Sequence, residues 1–316
     1  MAPQIIFGTA SLGMPMSAFQ DAETVQELLH TLQDLAITRL DSGARYPLTA
    51  RAEPKSFLLS KNFLVDTKIF TDTATDGSGN LTKDAIDRST VASLHRLRRE
   101  AVNVLHIHRH DPATPLEEQV RNFIDQISQG RCKAWAASNV PPPILSEMLQ
   151  LCDKNGWQKP VCYQGCYNLI SRGMEKRLLP LLRAHGIKYN AFQPLAAGFL
   201  TGKLVNNEHA GTCFGDDHPF GLMVRKLFGD EDLTSAMKKF DAAVKAQGLT
   251  PAEVALRWLT HHSSLEDDDG VIIGASKLQQ VIDTVGLIRK GPLPDALIPL
   301  VEELWSGVEE KRQEIL

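Results

Sequence analysis

The chain has 316 residues, 43% hydrophobic and 23% charged, an ordinary globular composition at a length that α/β barrels commonly reach as one domain. Its 34 basic and 38 acidic side chains give a net charge of −4, and with no basic block this argues against nucleic acid as a main partner. No stretch approaches the roughly 18 apolar residues of a membrane span, and the five cysteines form no CxxC pair and read as reduced thiols.

Residues 1–20 carry no charge, but they lack a basic start, and Gly8, Gly13 and Pro15 break the apolar run. A soluble, cytoplasmic protein with no membrane partner is the expectation. Residues 4–8 read as a short buried strand. Residues 21–36 show helical spacing, with Val25, Leu28, Leu29, Leu32 and Leu35 on one face and Asp21 as N-cap. A second strand spans 37–41, and 49–60 has no clear pattern. Residues 63–70 are a third strand, with Lys68 near its end. A Gly/Ser/Asn loop at 76–80 precedes a helix over 82–99.

Residues 102–108 are a fourth strand, followed by a helix over 115–129 that opens on Thr114-Pro115 and Glu117-Glu118. A fifth strand covers 132–138, and Pro141-Pro142-Pro143 starts the helix to about 154. Residues 161–164 are a sixth strand and 173–185 the next helix, closed by Gly186. A seventh strand spans 187–193. A long loop covers 196–230, and helices follow at 234–247 and 251–262. Residues 271–274 are the eighth strand and 277–289 its helix. The tail from 292 is also helical.

Eight strands alternating with helices imply a parallel sheet that can close into a (β/α)₈ TIM barrel, with extra C-terminal helices and a long loop after strand 7. One domain over 1–316 is expected. An open doubly wound sheet is the competing fold, but the sequence contains no GxGxxG turn.

Chemistry in such barrels sits at the C-terminal strand ends. There the sequence places Asp41 and Tyr46, Lys68, His108, Ser138 and Asn139, Gln164, Gln193, and Gly274 with Ser276. A phenol alone has a pKa of about 10 and needs nearby positive charge to serve as an acid near neutrality. Each of these residues alone has a plain structural reading as a cap, rim aromatic or solvated lysine. One barrel mouth would bring an acid, a phenol, an amine and an imidazole together. Two further patterns compete with this one. His106, His108 and His110 alternate along a strand as metal ligands do, but further ligands are not evident and no metal is expected. Gly198 to Lys203 suggests a phosphate loop, but the spacing is one short and Leu204 replaces the required Ser/Thr. Its small residues still allow close approach of a phosphate.

These residues and their order resemble the aldo-keto reductases, most closely the aflatoxin aldehyde reductase branch. The resemblance rests on Phe7-Gly-Thr-Ala, Asp41-x₄-Tyr46, Val65-Asp-Thr-Lys68 and Val104-Leu-His-Ile-His108 with Asp111 and Thr114-Pro-Leu-Glu-Glu118. It continues through Ser138-Asn139, Tyr163-Gln164-Gly-x-Tyr167-Asn168, Gln193 to Lys203, Ala255-Leu-Arg-Trp258 and Val271-Ile-Ile-Gly-Ala-Ser276. Such a resemblance implies an NADPH-dependent reductase of aldehydes or ketones, monomeric or homodimeric, with a small carbonyl compound as substrate. It implies Asp41, Tyr46, Lys68 and His108 as the catalytic four. It places Ser138, Asn139 and Gln164 on the nicotinamide carboxamide and Phe192 against the ring. Gln193, Leu195, Gly198 and Lys203 would line the pyrophosphate, and Gly274, Ser276, Gln280 and Thr284 the adenosine end. Met14 is an implied substrate contact, and Arg225 resembles an arginine that meets an anionic substrate or the cofactor. Pro47 replaces the glycine usual after the tyrosine, and Thr284 stands where relatives often carry Asn. An NADPH-binding regulatory subunit and a metal-dependent hydrolase are the competing functions.

Overall fold

β1 (Gln4–Gly8) pairs in parallel with β2 (Arg39–Asp41) on one side and β8 (Gly270–Ile273) on the other, so the sheet has no edge. Between them run β3 (Leu64–Lys68), β4 (Val102–His106), β5 (Cys132–Ser138), β6 (Cys162–Cys166) and β7 (Lys188–Phe192), each parallel to its neighbours in a closed barrel. This is the expected (β/α)₈ barrel. It is a computed structural model that describes residues 2–15, 17–46, 62–72, 74–208 and 219–313. Pro47, the stretch 49–60 and Cys213 lie outside the described residues.

Helix starts and stops follow local chemistry. α1 (Ala22–Asp34) opens on an Asp21 carboxylate that accepts from the Thr24 backbone N–H at 2.9 Å, and it buries Val25, Leu28, Leu29 and Leu32. α2 (Lys83–Leu97) is capped by Thr82, and α3 (Leu116–Ser128) carries Glu117 and Glu118 in its first turn. α4 (Pro142–Asn155) begins on a proline, where no backbone donor is missed, and ends on Gly156 at φ +65°. α5 (Met174–Ala184) leads into β7. Among the described residues, no helix is long and apolar enough to cross a membrane.

The stretch after β7 differs from the expected loop. It holds a 3₁₀ turn at Ala196–Thr201 and a helix, α6 (Pro219–Phe228). α6 was hidden because Leu222, Met223 and Leu227 are solvent-exposed and blur its apolar period. α7 (Glu231–Ala246) and α8 (Pro251–His261) follow, then β8 and α9 (Leu278–Ile288). The tail forms α10 (Ile298–Ser306), which packs on α7, and the short α11 (Glu309–Arg312).

Strand faces alternate, and the barrel divides accordingly. Val65, Leu105, Trp135 and Tyr163 join the large apolar core that includes the surrounding helices. The other face is unusually polar: Asp41, Asp66, Lys68, His106, Gln164 and Asn190 are all buried. Register sets them in rows, with Lys68 opposite His106 and Gln164 opposite Asn190. Gly270 is required beside this row, because a Cβ there would stand 2.5 Å from the Asn190 side-chain oxygen.

Candidate active site

The loop after β2 is stitched onto β3. The Ser42 N–H donates to the Asp66 carbonyl at 2.9 Å and the Ala44 N–H to the Lys68 carbonyl at 3.1 Å. The Tyr46 N–H then closes a tight turn on the Gly43 carbonyl at 3.0 Å. Gly43 lets the Tyr46 ring lie close over this backbone, since a Cβ there would sit 3.1 Å from two ring carbons. The sequence Asp41 to Tyr46 therefore folds the phenol back over the end of β3.

Lys68 is buried with its three ammonium protons committed. Nζ lies 2.7 and 2.6 Å from the two Asp41 carboxylate oxygens and 2.8 Å from the Ser42 carbonyl. Burial pulls the ammonium toward its neutral form, but Asp41 and the nearby Tyr46 more than offset this, and its pKa lies above the ordinary value. Nζ also stands 5.3 Å from the Tyr46 ring centroid. Gln164 donates from Nε2 to the Asp41 carboxylate at 2.9 Å, so β6 braces the same ion pair from across the barrel.

His108 lies two residues beyond β4, which ends at His106 rather than at 108 as the sequence suggested. The Ile107 N–H still pairs with the Ala136 carbonyl at 2.8 Å, and this holds His108 at the mouth. Its ring meets Tyr46 edge-on, with centroids 5.9 Å apart at 82°. Burial, then the charges of Lys68 and Arg45, push its pKa down to about 3. His108 is thus a neutral imidazole near pH 7, and its buried Nδ1 has no hydrogen-bond partner among the described residues. His106, deeper in the barrel, is likewise held well below its usual value, first by burial and then by Lys68. Among the described residues no group of three or more His, Cys, Asp or Glu is placed to hold a metal.

The remaining candidates sit along the mouth from β5 to α9. Ser138 is in register with Gln164. Asn139, at φ +52°, donates to the His108 carbonyl at 2.9 Å and to the Ser138 hydroxyl at 3.1 Å. Phe192 ends β7 half-buried. Gln193, Ala196 and Ala197 have φ of +55°, +49° and +54°, and Gly198 has +93°. Leu195 precedes the 3₁₀ turn, and Lys203 beyond it is exposed. At the start of α9, the Ser276 N–H and hydroxyl and the Lys277 N–H all point at Gln280 Oε1, at 2.8, 3.2 and 3.2 Å. Gly274 faces open space, and Thr284 lies one turn further along α9. Met14 is half-buried in the loop after β1, and Arg225 is half-buried on α6.

The sequence reading missed one layer. Directly beneath Asp41 and Lys68, Arg39 Nε lies 2.7 Å from Asp66, which also accepts from Asn103 at 2.8 Å. The available signal was two charged residues alternating along a buried strand, Arg39 and Asp41 in β2 and Asp66 and Lys68 in β3.

Comparison with known proteins places the chain in a family. Residues 4–306 match the aldo/keto reductase family. The oxidoreductase sirO of Leptosphaeria maculans is 31% identical over 98% of this chain and 95% of its own length. Aflatoxin B1 aldehyde reductase member 2 of Mus musculus is 30% identical over 98% of this chain and 86% of its own. An aldo-keto reductase of Pseudocercospora fijiensis is 30% identical over 89% of this chain and 97% of its own. The chain belongs to the aldo/keto reductase family and, with relatives named as aldehyde reductases, is a carbonyl-reducing oxidoreductase.

Proposed function

We propose that this protein reduces aldehyde or ketone carbonyls to alcohols with NADPH, and that Tyr46 supplies the proton. The observation that carries the reading is the buried Lys68, fixed by Asp41 at 2.6 and 2.7 Å and set 5.3 Å from the Tyr46 ring. The convergence of three donors on Gln280 Oε1, beside an open Gly274, fits a phosphate-bearing nucleotide, because one phosphate oxygen takes the same donors.

When bound, the nicotinamide supplies a hydride to the carbonyl carbon. The chain's part is to place and protonate the oxygen. Negative charge grows on that oxygen, and the Tyr46 hydroxyl donates its proton there. Lys68 stabilises the phenolate left behind by Coulomb attraction, and Asp41 keeps Lys68 from turning away. His108, neutral near pH 7, orients the carbonyl by a hydrogen bond that adds no competing charge. Ser138, Asn139 and Gln164 serve the carboxamide. The Gln164 Nε2 is engaged with Asp41, which leaves its oxygen as the acceptor. Phe192 offers a ring face. Gln193, Leu195, Gly198 and Lys203 serve the pyrophosphate, and Gly274, Ser276, Gln280 and Thr284 the adenosine end. Met14 and Arg225 serve the substrate side.

Tyr46→Phe tests the reading. With 4-nitrobenzaldehyde and NADPH, turnover is expected to fall on the order of 10²–10⁴-fold while cofactor binding survives. Unchanged turnover sinks the proton-donor assignment.

A further inference from the structure

The turn assigned above to the pyrophosphate is backbone-strained, and the C-terminal end of the chain holds its support in place. Gln193, Ala196 and Ala197 are three non-glycine residues at φ near +50° within five positions. Such conformations persist only where the surroundings over-determine them. The anchor here is Phe199, inside the turn and fully buried. Its ring stacks on Phe228, the last residue of α6, with centroids 5.4 Å apart and planes at 19°. On Phe228 in turn rests the Arg312 guanidinium, 4.8 Å from the ring centroid.

Arg312 is also tied to two backbone segments. Its Nη1 donates to the Leu227 carbonyl at 3.1 Å, at the end of α6, and its Nε to the Ile170 carbonyl at 3.3 Å, in the loop after β6. The residues beside it are fixed independently. Lys311 bonds Asp232 at 2.6 Å and Asp230 at 3.2 Å, at the start of α7. Gln313 lies so close to Gly173 that a Cβ there would collide with its backbone. A three-layer stack, Arg312 over Phe228 over Phe199, thus runs from the tail to the strained turn.

We propose that Arg312 is a positioning residue for the cofactor site: it clamps α6 so that Phe228 keeps the Ala196–Thr201 turn in its ligand-ready shape. It touches neither cofactor nor substrate, and its effect is on nucleotide binding rather than on chemistry. The inference rests on the reading that this turn receives the cofactor's pyrophosphate.

The test measures NADPH dissociation constants by fluorescence on wild-type protein, Arg312→Ala, Arg312→Lys and Phe228→Leu, each with kcat at saturating cofactor and a melting temperature. Arg312→Ala and Phe228→Leu are expected to weaken NADPH at least about fivefold, the lower end of ordinary coupling between sites. Saturating kcat should hold. Arg312→Lys, which keeps the charge over the ring, should recover part of the affinity. Where the alanine variant fails to fold, the lysine and Phe228 variants carry the same comparison. A lowered melting temperature with unchanged NADPH affinity in the folded variants overturns the clamp and leaves Arg312 a purely structural residue. Wild-type protein that binds neither NADPH nor NADH overturns the cofactor reading, and the clamp's role in binding falls with it.

Discussion

Two buried ion pairs join β2 to β3, one above the other, and only the upper one enters the proposed mechanism. The lower pair, Arg39 with Asp66, is closed. The carboxylate takes the guanidinium and the Asn103 amide. The upper pair, Lys68 with Asp41, has the same strands, opposite polarity and a similar contact distance, but it ends at the mouth beneath Tyr46 and His108. A guanidinium spreads its charge over a planar fork suited to a carboxylate. An ammonium concentrates charge at one atom, here 5.3 Å from the Tyr46 ring centroid, which suits the stabilising role proposed above. Burial alone does not separate the two pairs, since all four groups are largely withdrawn from water. What separates them is the residue that the following loop folds over each.

Breaking the upper pair is the most severe test. Lys68→Met leaves the Asp41 carboxylate buried without its cation, so a loss of about 3–5 kcal/mol in stability is expected. Carbonyl reduction should fall on the order of 10²–10⁴-fold, the size of a lost acid–base contribution. Stopped-flow hydride transfer and urea unfolding read the two effects separately. Arg39→Met should also cost about 3–5 kcal/mol by urea unfolding, with single-turnover reduction kept in the protein that remains folded. Equal losses of turnover in the two variants would erase the distinction between the pairs. Lys68→Arg makes the upper pair resemble the lower. Stability should hold better than in Lys68→Met, and turnover should not recover.

A gentler probe uses pH. His108 is held near pKa 3 in the fold, against 6.5 for an ordinary histidine. Above pH 6.5 it is neutral in both states and contributes no slope. As pH falls from about 6.5 toward 3, the unfolded chain takes up a proton that the fold refuses, so stability drops across that window. His106 acts in the same direction. His108→Gln should flatten part of the acid slope in urea titrations, and a slope identical to wild type would mean that His108 ionises freely in the fold.

Much of this was legible in the sequence, for identifiable reasons. Apolar runs such as Val271-Ile-Ile mark strands buried on both faces, and Pro and Gly punctuation set helix ends near 142 and 186. Strand termini were less clear. His108 and Gln193 read as strand residues because Ile107 and Phe192 carry the apolar pattern up to them, whereas β4 and β7 end at His106 and Phe192. α6 stayed hidden because Leu222, Met223 and Leu227 face solvent. The Arg39–Asp66 layer went unremarked because nothing in a sequence says which charged residues of a strand point into a barrel. Gln164 was read for a ligand alone, and its bond to Asp41 depends on contact across 123 positions.

The Gln280 side chain has a consequence of its own. Its oxygen occupies the seat where three donors meet, so the chain carries its own placeholder for an anion. A phosphate arriving there replaces one acceptor with another, and the number of hydrogen bonds hardly changes. On the NADPH reading proposed above, preference for the phosphorylated nucleotide would come from its extra charge rather than from unmet donors. Such a preference is a function of ionic strength, wide in dilute buffer and narrower in salt.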